Sequence, residues 1–147
     1  MSLPPKQRIQ QLIIGIRQDC GRYADLLQLL LNQYRLLASH DVAGLTEHNR
    51  QQTRLMGEIQ HQVRLRCEHL QALGLKPDER GMAILIGKLP APLQQRVGEQ
   101  WQTLELLLRQ CQRQNEQNGR LLAGQIETIH TLLGQESAYG RQEHFPD

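Results

Sequence analysis

The chain of 147 residues is poor in aromatic side chains, with only one Phe, one Trp and three Tyr. Large rings supply much of the buried area in the cores of α/β enzymes and β-sandwiches, so this composition disfavours both classes. Leucine, with 26 residues, must bury most of the apolar surface, and 22 residues are glutamine. Both side chains are unbranched at Cβ and lose little rotamer freedom in a helix. The composition therefore favours long helices.

The chain also lacks the residue spacings of disulfide frameworks, metal sites and common catalytic motifs. Its three cysteines, Cys20, Cys67 and Cys111, are odd in number and far apart, which indicates reduced, buried thiols. None of the six histidines has the spacing and context of a zinc-binding helix. No nucleophile elbow, phosphate-binding loop or dinucleotide fingerprint occurs. We therefore expect no catalytic residue, no metal ion and no cofactor.

Long apolar runs and clusters of charge are missing as well. No stretch approaches the roughly 18 apolar residues of a membrane span, and no apolar signal region follows the N-terminal basic residues. We therefore expect a cytoplasmic protein without membrane insertion. The formal net charge is +2, from 14 Arg and 3 Lys against 15 acidic residues, and these charges are scattered. Scattered charge and isolated rings argue against a nucleic-acid partner.

Two stretches in the first half carry the alternating three- and four-residue apolar spacing of a coiled coil. The first predicts a helix over about 4–38 that begins near Pro4-Pro5, with Ser2 as a candidate cap. Its seam is Ile9, Ile13, Ile16, Cys20, Tyr23, Leu27, Leu30, Tyr34 and Leu37. The second predicts a helix over about 42–73, with Asp41 as its N-cap and Gly74 just after its end. Its seam is Val42, Leu45, Asn49, Gln52, Met56, Ile59, Val63, Arg66, Leu70 and Leu73.

The second half predicts a short helix, a long helix and a tail. The apolar segment Met82 to Leu89 predicts a short helix over about 79–88 that packs against the long ones. A third seam predicts a helix over about 92–133, roughly 60 Å long. That seam is Val97, Trp101, Leu104, Leu108, Cys111, Asn115, Asn118, Leu122, Gln125, Ile129 and Leu132. Residues 135–147 have almost no apolar periodicity and predict a flexible tail.

Together these segments predict an all-α fold. Three long helices, joined by a short and a longer connection, predict an elongated antiparallel three-helix coiled-coil bundle over residues 1–134. The third long helix is the longest, so part of it has no obvious partner within the chain. The short helix, a homodimer contact with a second copy, or another protein could cover it, and the sequence leaves these alternatives open.

The apolar face of the long helix becomes broader after Asn118. Up to Leu108 the apolar residues keep to the seam and one flank, whereas from Leu121 onward they occupy both flanks. A broad apolar face at the end of the longest helix predicts a surface for an amphipathic segment of another chain. The alternative is a structural coiled-coil or oligomerisation adaptor with no transient client, in which this end packs within the chain or in a homodimer.

The C-terminal third contains a specific motif. Residues 115–126 follow the pattern Asn-x-x-Asn-Gly-x-Leu-Leu-x-x-Gln-Ile, and Ala138-Tyr139-Gly140 comes after a short interval. This motif, together with Trp101 upstream, resembles the FlgN family of flagellar export chaperones. The resemblance covers roughly residues 95 to 141, and the first ninety residues share the heptad character of the family.

The resemblance implies a cytosolic chaperone without catalytic activity. Such a protein would bind the hook-filament junction proteins FlgK and FlgL and deliver them to the flagellar type III export apparatus. Its C-terminal amphipathic helix would bind a disordered terminal helix of the client, and Tyr139 would dock at the export gate protein. The implied client-binding residues are Leu121, Leu122, Gln125, Ile126, Ile129 and Leu133, with Asn115 and Asn118 at the upstream edge. The tail from Arg141 to Asp147 departs from the family pattern and receives no role.

Overall fold

A computed structural model describes the backbone of residues 2–143 and the side chains of residues 2–134. Four helices follow one another: α1 (Pro5–Ala38), α2 (Val42–Ala72), α3 (Glu79–Gly87) and α4 (Ala91–Glu143). Residues 2–143 contain no strand. The prediction of an all-α bundle with three long helices and a short connecting helix is confirmed.

Helix α1 is the central helix, because α2 and α4 both pack along it. Between α1 and α2 the paired residues are antiparallel: Asp19 binds Arg66, and Asn32 binds His48. Between α1 and α4, three hydrogen-bonded pairs in succession have the same sequence separation of 88. Helix α4 therefore runs parallel to α1 and antiparallel to α2.

The turn between α1 and α2 is built by local hydrogen bonds. The amide of Asp41 donates to the carbonyl of Leu36 at 3.0 Å, and that of His40 donates to Leu37 at 3.2 Å. His40 has a φ of 57°, in the left-handed region that commonly ends a helix. The Asp41 carboxylate then accepts from the Gly44 amide at 2.9 Å. The prediction that Asp41 caps α2 is confirmed.

Helix α2 ends in the same way. Gly74 has a φ of 76°, and the amide of Leu75 donates to the carbonyl of Leu70 at 2.9 Å. The amide of Gly74 donates to Gln71 at 3.0 Å, which completes a Schellman motif. The prediction that Gly74 stands just after the end of this helix is confirmed.

Two predictions about helix ends are wrong. Ser2 does not cap α1: Pro4 is the N-cap residue, and the Ser2 hydroxyl accepts from Arg8 instead. Ser2 lies two residues upstream of the N-cap, so its hydroxyl is too far from the amides of the first turn. Helix α4 does not end at 133 but continues to Glu143, through most of the segment predicted as a tail. No proline lies between Pro92 and Pro146, and residues 144–147 lie outside the described part.

The core consists of two apolar clusters. The first lies at the α3 end of the bundle and contains Leu12, Ile16, Leu70, Met82, Leu85 and Val97. The second lies in the middle and contains Tyr23, Leu26, Leu30, Ile59, Leu104 and Cys111. The predicted packing of the 82–89 segment against the long helices is therefore present, through Met82 and Leu85. Gly81 permits this packing, since a Cβ there would overlap the carbonyl oxygen of Lys76.

A buried acid that the heptad pattern did not single out ties the three long helices together. Asp19 is 1% exposed, and its carboxylate accepts from Arg22 at 3.0 Å and from Arg66 of α2 at 2.8 Å. The Arg66 guanidinium also lies over the ring of Trp101 in α4, 5.5 Å from its centre. Because α1 is central, its flank toward α2 is buried as well as its seam toward α4, and Asp19 lies on that flank.

Replacing His40 by Gly should stabilise the protein. A positive φ costs a non-glycine residue about 1–2 kcal/mol, and glycine removes this cost. Part of the gain in stability is offset, because glycine also raises the conformational entropy of the unfolded chain. We expect the free energy of unfolding to rise by about 0.5–1 kcal/mol in urea denaturation followed by circular dichroism.

The matched control is Gly74→Ala, which introduces a side chain at the equivalent position of α2. It should lower the free energy of unfolding by about 1 kcal/mol. An unchanged stability of the His40→Gly variant would contradict the strain assigned to this turn.

Candidate functional site

Three side chains of α4 hold it against α1 at intervals of seven residues. The thiol of Cys111 donates to the carbonyl of Tyr23 at 3.4 Å. The Asn118 amide donates to the Leu30 carbonyl at 2.8 Å, and the Gln125 amide donates to the Leu37 carbonyl at 2.8 Å. Polar seam residues of this kind specify the register of a coiled coil. Burial also raises the pKa of Cys111 to about 11, so its thiol stays protonated near neutral pH.

The structure separates the two asparagines predicted at the upstream edge of the client surface. Asn118 is 3% exposed. Besides its bond to Leu30, its side-chain amide donates to the side-chain oxygen of Gln33, and its side-chain oxygen accepts from the side-chain amide of Gln114. Its hydrogen-bonding capacity is therefore used within the chain. Asn115, three residues earlier, is exposed and lines the side of α4 that faces α2.

Helix α4 extends past the end of the hairpin formed by α1 and α2. Gln125 contacts Leu37, and α1 ends one residue later at Ala38. The remaining residues of α4, 126–143, are called the overhang here. At a rise of 1.5 Å per residue the overhang is about 27 Å long.

Most apolar residues of this end are exposed, and Leu121 is half-buried. Leu122 and Ile126 are each 45% exposed, and Leu132 is 58% exposed. Residues 122, 126, 129 and 133 recur at the spacing of one helix face. We call this surface the apolar strip, and its members are Leu121, Leu122, Ile126, Ile129, Leu132 and Leu133. The strip is a partner-binding candidate, since exposed apolar patches commonly mark interaction sites.

Half-buried Gln125 lies beside the strip, but its amide holds the end of α1. Of the residues predicted to bind a client, the structure thus brings five together on the strip and places Asn118 and Gln125 in the α1–α4 contact. Tyr139 lies within the helical range of α4, and its side chain lies outside the described residues.

A second apolar surface, which the sequence did not single out, lies between α2 and α4. We call it the furrow. The residues that line it are Tyr23, Leu26, Leu30, Met56, Ile59, Gln60, Leu108, Cys111, Gln112 and Asn115. The sequence does contain a signal for it: Met56 and Leu108 belong to the predicted seams of two different long helices. A bundle of three helices does not bury every residue of these seams.

Two classes of site are absent from the described part of the chain. Residues 2–143 contain no helix with the length and hydropathy needed to cross a bilayer. Among the described side chains, no group of three or more His, Cys, Asp or Glu residues is placed to hold a metal ion.

Comparison with protein families gives a match over most of the chain. A family model described as FlgN protein matches residues 1–134. The match includes the first ninety residues, where the sequence motif offered only heptad character, and it ends before Tyr139. Neither the curated proteins nor the solved structures contain a match.

Replacing Asn118 by Ala should destabilise the bundle. The change removes the donor to the Leu30 carbonyl and leaves buried polar groups unpaired, which costs about 1–3 kcal/mol. The measurement is the free energy of unfolding in urea.

Asn115→Ala is the matched control, because it removes the same side chain from an exposed position of the same helix. Its effect should stay within about 0.5 kcal/mol. Equal effects of the two substitutions would show that Asn118 does not anchor α4 to α1.

Proposed function

Since the chain belongs to the FlgN family of flagellar export chaperones, we propose that it binds FlgK and FlgL in the cytosol and delivers them to the type III export apparatus. The family supplies the role of export chaperone. The two clients, the delivery step and the residues responsible are the proposal.

The observation that carries the proposal is the exposure of the apolar strip. A disordered client segment can fold as an amphipathic helix on such a face, with its apolar residues at helical spacing. Folding on binding consumes several kcal/mol of the interaction energy as chain entropy. The resulting complex is of moderate affinity and reversible, which suits a carrier that must release its client.

Tyr139 supplies the contact with the export gate protein in this proposal. It follows Leu133 by six residues on the same helix, so client and gate bind to neighbouring but different parts of α4. A tyrosine offers a large, rigid and amphipathic contact area, which makes it a common anchor at interfaces.

One observation favours a second candidate, a structural coiled-coil adaptor without a transient client. The seam that includes Leu122 and Gln125 continues past the end of α1 through Ile129 and Leu132. A second copy could pair with this stretch as a coiled coil. The two candidates differ in whether the strip is occupied in the protein alone.

The double substitution Ile126→Asp and Ile129→Asp should abolish client binding without unfolding the protein. Each isoleucine is about half exposed, so little core packing is lost, whereas each buried apolar contact with a client contributes about 1.5–3 kcal/mol. We expect affinity for a fluorescently labelled C-terminal segment of FlgK or FlgL to fall by more than about tenfold. Fluorescence anisotropy gives the affinity, and circular dichroism gives the melting temperature.

Thr131→Asp is the control, since it adds an aspartate to the opposite face of the overhang. It should bind the client like the parent chain. A large loss of helicity in the double variant would instead place the isoleucines in a core. A parent dimer that the double variant dissociates, with client binding unchanged, would support the adaptor.

Tyr139→Ala should leave client affinity unchanged and reduce export of the client. Removal of the ring deletes the proposed gate contact, which lies outside the apolar strip. The measurement is the amount of secreted client in culture supernatants, with Tyr139→Phe as a control that retains the ring. Normal secretion with the alanine variant would end the assignment.

A further inference from the structure

The furrow and the apolar strip lie along one line of α4. Residues at intervals of seven keep the same side of a helix in a coiled coil. Trp101, Leu108 and Asn115 face α2 along the furrow and its extension toward α3. Leu122 and Ile129 continue the same series on the strip. One apolar surface therefore runs along α4 from the α3 end of the bundle onto the overhang.

This surface is open because α2 and α4 each pack on α1 but scarcely on each other. As a consequence Met56 of α2 is 42% exposed and Leu108 of α4 is 37% exposed, although both belong to predicted seams. In a four-helix bundle a further helix occupies the position between two such neighbours. The furrow thus has the shape and the lining that an added amphipathic helix requires.

The charges along the surface differ between its middle and its α3 end. The middle is lined by apolar groups and by the uncharged side chains of Gln60, Gln112 and Asn115. The extension toward α3 carries the carboxylates of Glu79 and Glu105. Among the described side chains neither forms an ion pair, whereas Arg66 nearby is already paired with Asp19. This end therefore favours a cationic group on whatever occupies the furrow.

We propose that the client helix does not stop at the overhang but continues into the furrow, with a Lys or Arg beside Glu79 and Glu105. The proposal rests on the proposed function, because the strip supplies the other part of the same binding surface. From Trp101 to Ile129 the surface is about 42 Å long, which corresponds to a client helix of about 28 residues. The occupant is thus an uninterrupted amphipathic helix with one basic end.

The test compares Leu108→Asp with Leu106→Asp in the full chain. Leu108 faces the furrow, whereas Leu106 is 48% exposed and does not line it. We expect Leu108→Asp to weaken binding of the labelled client segment by about tenfold and Leu106→Asp to leave it unchanged. Met56→Asp, in the opposite wall of the furrow, should weaken client binding to a similar extent. Because Met56 lies on α2, a similar loss of affinity cannot arise from a local folding defect in α4.

Peptide length and charge provide the second measurement. A client segment of about 28 residues should bind more tightly than one of about 14 residues that covers only the overhang. Glu105→Gln should weaken binding of the long segment a few-fold at low salt and leave the short segment unaffected.

The outcomes separate this proposal from the proposed function. Loss of binding in the strip variant, with parent affinity in Leu108→Asp and Met56→Asp, would overturn the furrow proposal and leave the chaperone role intact. Parent affinity in the strip variant would contradict the chaperone role itself. A change from dimer to monomer in the Leu108→Asp variant, without any effect on client binding, would assign the furrow to a contact between copies and overturn the proposal.

Discussion

The parallel contact between α1 and α4 is the interaction on which the other features of the protein depend. Three hydrogen bonds mark its register, and each joins a residue of α1 to the residue of α4 that follows 88 positions later. Because α1 ends at Ala38 while α4 continues to Glu143, this register carries the overhang of α4 past the end of α1. A shift by one heptad would move the boundary by about 10 Å and change which apolar residues remain exposed.

Polar residues give this register its specificity. Two apolar seams can slide past each other by one heptad with little penalty, whereas a displaced Asn118 or Gln125 would lose its hydrogen bond in a buried setting. The pair of Asp19 and Arg66 has the same effect between α1 and α2. A buried ion pair adds little net stability, but removal of one partner leaves a buried charge that costs about 3–5 kcal/mol. These groups therefore specify the alignment more than they strengthen the bundle.

The arrangement keeps folding and partner binding apart. Both core clusters lie where α1 is present, and the apolar strip lies mostly beyond them. The overhang needs no separate nucleation, because it continues a helix whose earlier turns are already held by α1. A binding surface of this kind can be empty or occupied without a change in the core, which is the property that the family role of an export chaperone requires.

The spacing of apolar residues and the residue types at helix ends were sufficient to predict the helices and several of their ends. Heptad spacing located α1, α2 and the start of α4, and the residue types at Asp41 and Gly74 marked helix ends, because caps and turns depend on neighbours in the chain. The broadened apolar face after Asn118 was also visible as a change of pattern. That pattern and the C-terminal motif pointed to the region that the structure leaves exposed.

The sequence by itself determined which residues share a helix face, but only the tertiary structure decided what each face meets. Asn115 and Asn118 belong to one seam and have the same side chain, yet the first is exposed and the second is buried. The difference arises because α1 lies on one side of that seam and leaves the furrow open on the other. The central position of α1, the burial of Asp19 and the extent of the overhang follow from the register between helices that are distant in the chain, and heptad spacing is compatible with several registers.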